Sequence, residues 1–323
     1  MKKFISIAAL ALTLAACSND DDIAYTNEEI KIRTTIGTMT KTVFENNTTK
    51  FVAGDEFTLY SWDGTMSALN KPWINGVKVT LNDANKWIPA SQILWKTEDT
   101  SHDFLGIYPS GILASAANLS AVSYTVNDNG DVIDNDILRA YSPAVKMPED
   151  NTLTLPFKHI MAKLQVNLKF RNQWDSNPTV TSVTGNLTKT ATIDFYTGTV
   201  APATSGTASS RALTPMATAA TDYVYSYEIV AVPGDQDFNS IVITIDGKTY
   251  TYTYVPETTP DPLNPAQNLS LISGKVTTIN LIVGRNQVDL DMGGSGSGSE
   301  SGTGIFISDW SDNTSYQGSA YGD

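Results

Sequence analysis

The chain reads as an all-β protein built of two β-sandwiches in tandem, and three observations point there. Nearly every patterned segment alternates with period two or is rich in β-branched and aromatic residues. These segments recur at roughly ten-residue spacing between Gly, Pro, Asn or Asp, the rhythm of short strands and tight turns. Charged residues make up only 17% of the chain, and Thr, Ser and Asn carry the polar surface instead, a composition common among extracellular β proteins.

In chain order, the first set of predicted strands is IKIRTTIG (Ile30–Gly37), FVAGDEFTLYSW (Phe51–Trp62), GVKVTL (Gly76–Leu81), KWIPA (Lys86–Ala90), DFLGIYP (Asp103–Pro109), AVSYTV (Ala121–Val126) and ILRAYSPAVKM (Ile137–Met147). Asp63-Gly64, Asn75-Gly76 and Asn129-Gly130 are turn signals between them, because glycine accepts the left-handed backbone that tight turns need. One alanine-rich stretch, Gly111–Ala121, hints at a helix but lacks an amphipathic stripe. A junction between the sandwiches is placed near Asp150-Asn151.

The second set opens with LTLPFKHIMAKLQVNLKF (Leu153–Phe170) and continues through VTSVTGNL (Val180–Leu187), ATIDFYTGTV (Ala191–Val200), YVYSYEIVAVPG (Tyr223–Gly234), SIVITIDGKTYTYTYV (Ser240–Val255) and KVTTINLIVG (Lys275–Gly284). Asp246-Gly247, between two alternating runs, predicts a two-residue hairpin. Ala201–Ala220 is small, polar and unpatterned, and predicts a long surface loop. MGGSGSGSESGTG (Met292–Gly304) has the composition of a flexible leash, and IFISDW (Ile305–Trp310) beyond it is a short strand of large side chains. A strand so tethered can pair with a sheet edge of its own chain or of a neighbour.

The chain holds one cysteine, Cys17, so an internal disulfide is excluded. Lys2 and Lys3 precede an apolar run, Phe4–Ala16, that fits a signal sequence and is too short to span a bilayer. Leu14-Ala15-Ala16-Cys17 resembles the lipobox of bacterial lipoproteins, which implies cleavage before Cys17 and lipid attachment there. The alternative is an ordinary secretory signal that ends near a cysteine. Each buried CH₂ of an acyl chain contributes about 0.8 kcal/mol, so several chains make a durable anchor. Ser18 to Asp22 form an acidic tether that resembles the surface-export signal of lipoproteins in the Bacteroides group; a plain tether is the other reading. The expected organisation is a signal peptide over 1–17, a tether over 18–29, sandwiches over 30–151 and 152–292, and the leash with its strand over 293–323.

The net charge of −13 and the lack of a basic patch argue against nucleic acid. No run of 18 apolar residues predicts a transmembrane helix. Only His102 and His159 could serve as imidazole bases. His159 alternates with core positions and reads as a hydrogen-bonded packing residue; His102 has Asp99 and Asp103 near it in sequence. No nucleophile-elbow, zincin, P-loop or Rossmann motif is present, so no catalytic residue, cofactor or metal is assigned. Asn127 to Asp131, with Asp134 and Asp136, is dense in oxygen ligands but fails the EF-hand spacing, and reads as a polar hairpin tip. Trp62, Trp73, Trp87 and Trp95 fit core plugs better than sugar-stacking platforms, and Tyr250, Tyr252 and Tyr254 fit a sheet-packing ladder.

An ordered set of motifs carries a second resemblance. After the lipobox come TKT (Thr40–Thr42), F-x-x-GDEFTLYSW (Phe51–Trp62), Trp95-Lys96 leading to DFLGIYP, LPFKHIMAKLQVNL (Leu155–Leu168), and a late I-x-x-W in IFISDW. From about Ile30 to Trp310 the chain resembles the fimbrillin-like lipoproteins, the family that includes the type V pilins of Bacteroides-type bacteria. The resemblance implies two transthyretin-like β-sandwiches and assembly by strand exchange. In that scheme a protease of arginine specificity removes the first strand of the lipidated precursor, and an extended strand of another subunit fills the groove. Arg33 is the candidate cleavage point, with a solvent-facing arginine on an alternating strand as the plainer reading. Many family members show Thr-Arg where this chain has Thr40-Lys41. Ile305, Ile307 and Trp310 are the donor-strand candidates, and NQVDLDM (Asn286–Met292) is another segment able to serve. The expected function is a fimbrial subunit that acts in adhesion, with other pilus subunits, the outer membrane and a host or bacterial surface ligand as partners. The other expectation is a non-polymerising surface lipoprotein that holds a glycan or a host protein.

Overall fold

The computed structural model describes residues 28–36, 51–113, 118–128, 133–204, 208–234, 238–253, 271–291 and 305–310. Among them the chain is all-β, with two short 3₁₀ turns, Ser110–Leu113 and Ile133–Asn135. Of the helical hint over Gly111–Ala121, Gly111 to Leu113 lie in the first of these turns, and residues 114–117 lie outside the described residues. The first half contributes β1 (Lys31–Ile36), β2 (Glu56–Asp63), β3 (Ile74–Leu81), β4 (Trp87–Pro89), β5 (His102–Tyr108), β6 (Val122–Thr125), β7 (Leu138–Val145) and β8 (Thr152–His159). The second half contributes β9 (Ala162–Phe170), β10 (Val180–Thr188), β11 (Thr190–Asp194), β12 (Thr199–Pro202), β13 (Ala208–Ala212), β14 (Thr214–Pro215), β15 (Tyr225–Ala231), β16 (Ser240–Ile245), β17 (Lys248–Thr253), β18 (Lys275–Val283), β19 (Val288–Leu290) and β20 (Ile305–Asp309).

Seven strands form the first sheet in the order β1-β8-β7-β5-β2-β3-β4. The β1–β8 pair is parallel and the others are antiparallel. The sheet curls until its end strands β1 and β4 approach, and Trp87 Nε1 donates to Thr34 Oγ1 at 3.0 Å across the gap. Inside the curl, alternate side chains from Phe57, Leu59, Val79, Phe104, Leu155 and Phe157 build one core. Asn75-Gly76 is not a turn between strands; it lies within β3, where the β2–β3 register slips by a residue and Gly76 takes φ +71°. The left-handed backbone there makes a bulge, a use of glycine that a dipeptide cannot distinguish from a turn. Gly106 of β5 faces the same core, and a Cβ built on it would lie 2.7 Å from Phe157 Cζ. Gly106→Ala is therefore expected to cost about 1–3 kcal/mol by overpacking, read as a lower urea midpoint at unchanged slope.

The second half packs two sheets face to face. One runs β13-β10-β16-β17; the other runs β14-β15-β9-β18-β19 and gains β20 on β18. Leu164, Val166 and Leu168 of β9 meet Ile243 of β16 and Ile279 and Leu281 of β18 between them. The predicted hairpin is present: Ile245 pairs with Lys248, and Asp246 and Gly247 both take positive φ, as a type I′ turn requires. The predicted loop over Ala201–Ala220 is partly structured, since β13 bonds to β10 and β14 to β15. Arg211 of β13 is buried, and Leu213 between the two strands enters the core of the second half, so isolated large residues rather than a periodic pattern seat this segment.

A third sheet, β12-β11-β6, joins the halves, because β6 pairs with β11. It packs on the outer face of the first sheet. Trp62, Leu105 and Ile107 from that face meet Ile193, Phe195 and Val230 in a junction core. Arg139 of β7 adds a polar clasp, donating Nε and Nη2 to the carbonyls of Phe195 and Tyr196, each at 2.7 Å. Asp150-Asn151 forms the turn between β7 and β8, both members of the first sheet. The chain passes to β9 through Ile160-Met161, inside a run whose apolar pattern carries no turn signal.

Candidate functional site

Both terminal strands of the described chain lie on sheet edges. β1 runs in parallel register on β8, from Lys31 opposite Thr152 to Ile36 opposite Phe157. Ile30 is buried, and Ile32 and Ile36 lean half-buried on the core of the first sheet. Arg33 points to solvent opposite Thr154. The segment before β1 is tied down: Ile30 N–H donates to Ile93 O, Lys31 N–H to Asn151 O, and Trp95 N–H to Glu28 O. A parallel end strand is joined to its sheet by a single ladder and is the strand that can leave without breaking another. Beside β1 on β8, opposite Ile32, Thr34 and Ile36, Leu153, Leu155 and Phe157 are all buried.

β20 sits on β18 in antiparallel register, Lys275 opposite Asp309 through Ile279 opposite Ile305. β19 continues the same edge, from Leu281 opposite Leu290 to Val283 opposite Val288. The edge of β18 is thus filled end to end by two segments, and both predicted donors, IFISDW and NQVDLDM, contribute to it. Ile305 enters the core of the second half, Ile307 pairs with Thr277, and Trp310 enters the junction core. Because successive strand residues face opposite sides, one short strand plugs two cores.

The Trp310 ring stacks on His159, with centroids 4.2 Å apart and planes 5° from parallel. His159 Nδ1 lies 2.9 Å from Asp136 Oδ1, and both side chains are buried. Lys163 Nζ is 5.9 Å from the Trp310 ring centre and pairs with Glu228 at 2.5 Å. The packing role expected for His159 is present, but its stack on a residue near the other end of the chain has no local signal.

The remaining candidates fall where packing places them. His102 is buried, with Nδ1 3.5 Å from Ser61 Oγ, and burial pushes its pKa down. Asp103 bonds to Met66 N–H, Ala144 N–H and Tyr141 Oη instead. Trp62 and Trp95 are fully buried, Trp87 is half-buried, and Trp73 is 41% exposed. Tyr250 and Tyr252 pack against the core of the second half. Asn135 and Asp136 turn inward to Asn127 and His159, and no cluster of three or more metal-ligating side chains occurs among the described residues. Cys17, the acidic tether, Thr40-Lys41, Asn129-Gly130, Tyr254 and the leash lie outside the described residues. No described helix is long and apolar enough to cross a membrane.

Sandwiched sheets bridged by a third, with a terminal strand on each of two edges, define a multi-sheet β protein. The fimbrillin-like family model matches residues 39–310, and the chain belongs to that family. Solved structures agree in fold. The chain is similar to a candidate cell adhesion protein from Bacteroides ovatus, at TM-score 0.60 and 15% identity over 90% of this chain and 100% of that one. It is similar to another from Bacteroides uniformis, at TM-score 0.57 and 18% identity over 81% and 93% of the two chains. A fimbrial protein from Bacteroides vulgatus aligns at TM-score 0.53 and 13% identity over 88% and 100%. No curated protein matches.

Proposed function

We propose that the protein is a cell-surface fimbrial subunit, lipid-anchored through Cys17 before assembly, that polymerises by strand exchange and acts in adhesion. Membership of the fimbrillin-like family supports the fimbrial role. The observation that carries strand exchange is β1: an end strand in single-ladder parallel pairing, with Ile32 and Ile36 leaning inward and Arg33 exposed. Cleavage after Arg33 detaches the lipidated segment and leaves Thr34–Ile36 too short to hold the edge. An extended strand of another subunit then pairs along β8, with main-chain bonds for affinity and alternate pockets for register. Arg33 lies mid-strand, so a protease must first peel β1 from β8.

Treating the lipid-free precursor with an arginine-specific protease is expected to give a cut after Arg33 and ladders on unheated gels. Arg33→Gln is expected to stay whole and monomeric. A chain that is cut there and remains monomeric contradicts the polymerising role. The second reading, a non-polymerising surface lipoprotein that binds a glycan or a host protein, is favoured by the segment between β2 and β3. There Leu69 is 94% exposed and Trp73 is 41% exposed, while hydrogen bonds from Trp62 Nε1 to Asn70 O and from Trp73 Nε1 to Leu94 O fix the backbone.

A further inference from the structure

β1 and β20 sit on different sheets, yet both connect to β8. β1 pairs along β8 from Thr152 to Phe157, and Trp310 stacks on its last residue, His159. Just beyond, Ile160-Met161 crosses to β9 under tight constraint. Ile160 N–H donates to Ile137 O, Ser273 Oγ donates to Ile160 O, and Gly274 N–H donates to Met161 O. Gly274 takes φ +69° and packs so closely that a Cβ there would lie 2.9 Å from His159 O. Trp310 N–H donates to Gly274 O at 2.9 Å and closes this knot from above.

We propose that Trp310 is a latch coupling the two terminal strands: seated on His159, it locks the β8–β9 link and so tightens the hold of β8 on β1. Its departure removes the ring from one face of His159 and the bond to Gly274, and opens the buried His159–Asp136 pair to water. A hydrogen bond that water can replace contributes less to rigidity than one shielded from it. The end of β8 and its ladder with β1 then open more often. Coupling between two sites is reciprocal in free energy, so loss of β1 loosens β20 to the same degree. A subunit would release its own last strand more readily once its first strand had gone. That purpose rests on the strand-exchange reading; the coupling itself does not.

Hydrogen exchange on the full-length, uncleaved chain tests it. In Trp310→Ala the β18 amides bonded to β20 are expected to lose protection as β20 unseats, and the β1 amides bonded to β8 to exchange about tenfold faster, as a local opening about 1.4 kcal/mol easier would give. Trp310→Phe, which keeps a stacking ring, is expected to restore most of the β1 protection; Trp310→Leu, which keeps apolar volume without a ring to stack, should not, and serves the same comparison if the alanine variant does not fold. Deprotection of β18 with β1 unchanged overturns the latch. Failure of the protease to cut at Arg33 would overturn the proposed maturation and leave this exchange result standing.

Discussion

Asp103→Ala is expected to destabilise the protein by about 3–5 kcal/mol, because a buried charged acceptor with several donors leaves each of them unpaired when removed. Asp103 is 4% exposed and accepts from Met66 N–H at 2.8 Å, Ala144 N–H at 2.8 Å and Tyr141 Oη at 2.7 Å. Ala144 holds φ +51°, a left-handed conformation that costs an alanine roughly 1–2 kcal/mol, and the Asp103 bond pins it. The loss is read as a fall in urea midpoint, and Asp103→Asn should recover part of it by keeping an acceptor. A second readout is local. Tyr141 is pushed up to about 12 by burial first and by Asp103 second. Its phenol should titrate closer to the ordinary value in the alanine variant, measured by ultraviolet absorbance in alkali. The folded pKa lies above the unfolded one, so the wild-type contribution of Tyr141 is whole below pH 10 and fades as pH rises toward about 12. An unchanged midpoint would show that water replaces the carboxylate at little cost.

Ile305→Asp is expected to empty half of the β18 edge. Ile305 is 3% exposed in the core of the second half, and an unpaired carboxylate there costs several kcal/mol, more than a strand joined by one short ladder can withstand. The strand should leave, so that stability falls by about 2–5 kcal/mol, the range for losing a buried isoleucine. Exchange of the β18 amides bonded to β20 should rise while β19 stays paired with Leu281–Val283. The freed edge is a template for pairing between chains, so self-association at high concentration is a further expected sign. Retained protection of the β18 amides bonded to β20 would mean that Trp310 alone seats the strand.

Much of the fold was legible because its signals are local. The Asp246-Gly247 hairpin, the inward alternation of Phe57 and Leu59, and the strand nature of IFISDW each follow from a few adjacent residues. Signals that serve two uses misled. Asn75-Gly76 has turn chemistry but makes a bulge, and Ala201–Ala220 lacks a pattern yet pairs at two edges. Of the candidate site, Arg33 could be placed on an exposed strand face from alternation alone, and Ile305 and Trp310 could be recognised as anchors. Their targets could not.

By itself the sequence determined the strands, most of their inward and outward faces, the family resemblance and the acidic net charge. Side-chain period and turn chemistry are written in neighbouring residues, and charge is a sum over them. Only the tertiary structure decided which strands meet: β1 with β8 in parallel, β6 with β11 across the two halves, β20 with the near half of β18, and Trp310 face to face with His159. The reason is physical. Backbone hydrogen bonds that join strands are the same at every residue but proline and carry almost no residue code. Pairing between distant segments is therefore settled by which arrangement buries all the apolar faces at once, a property of the whole chain that no short stretch contains.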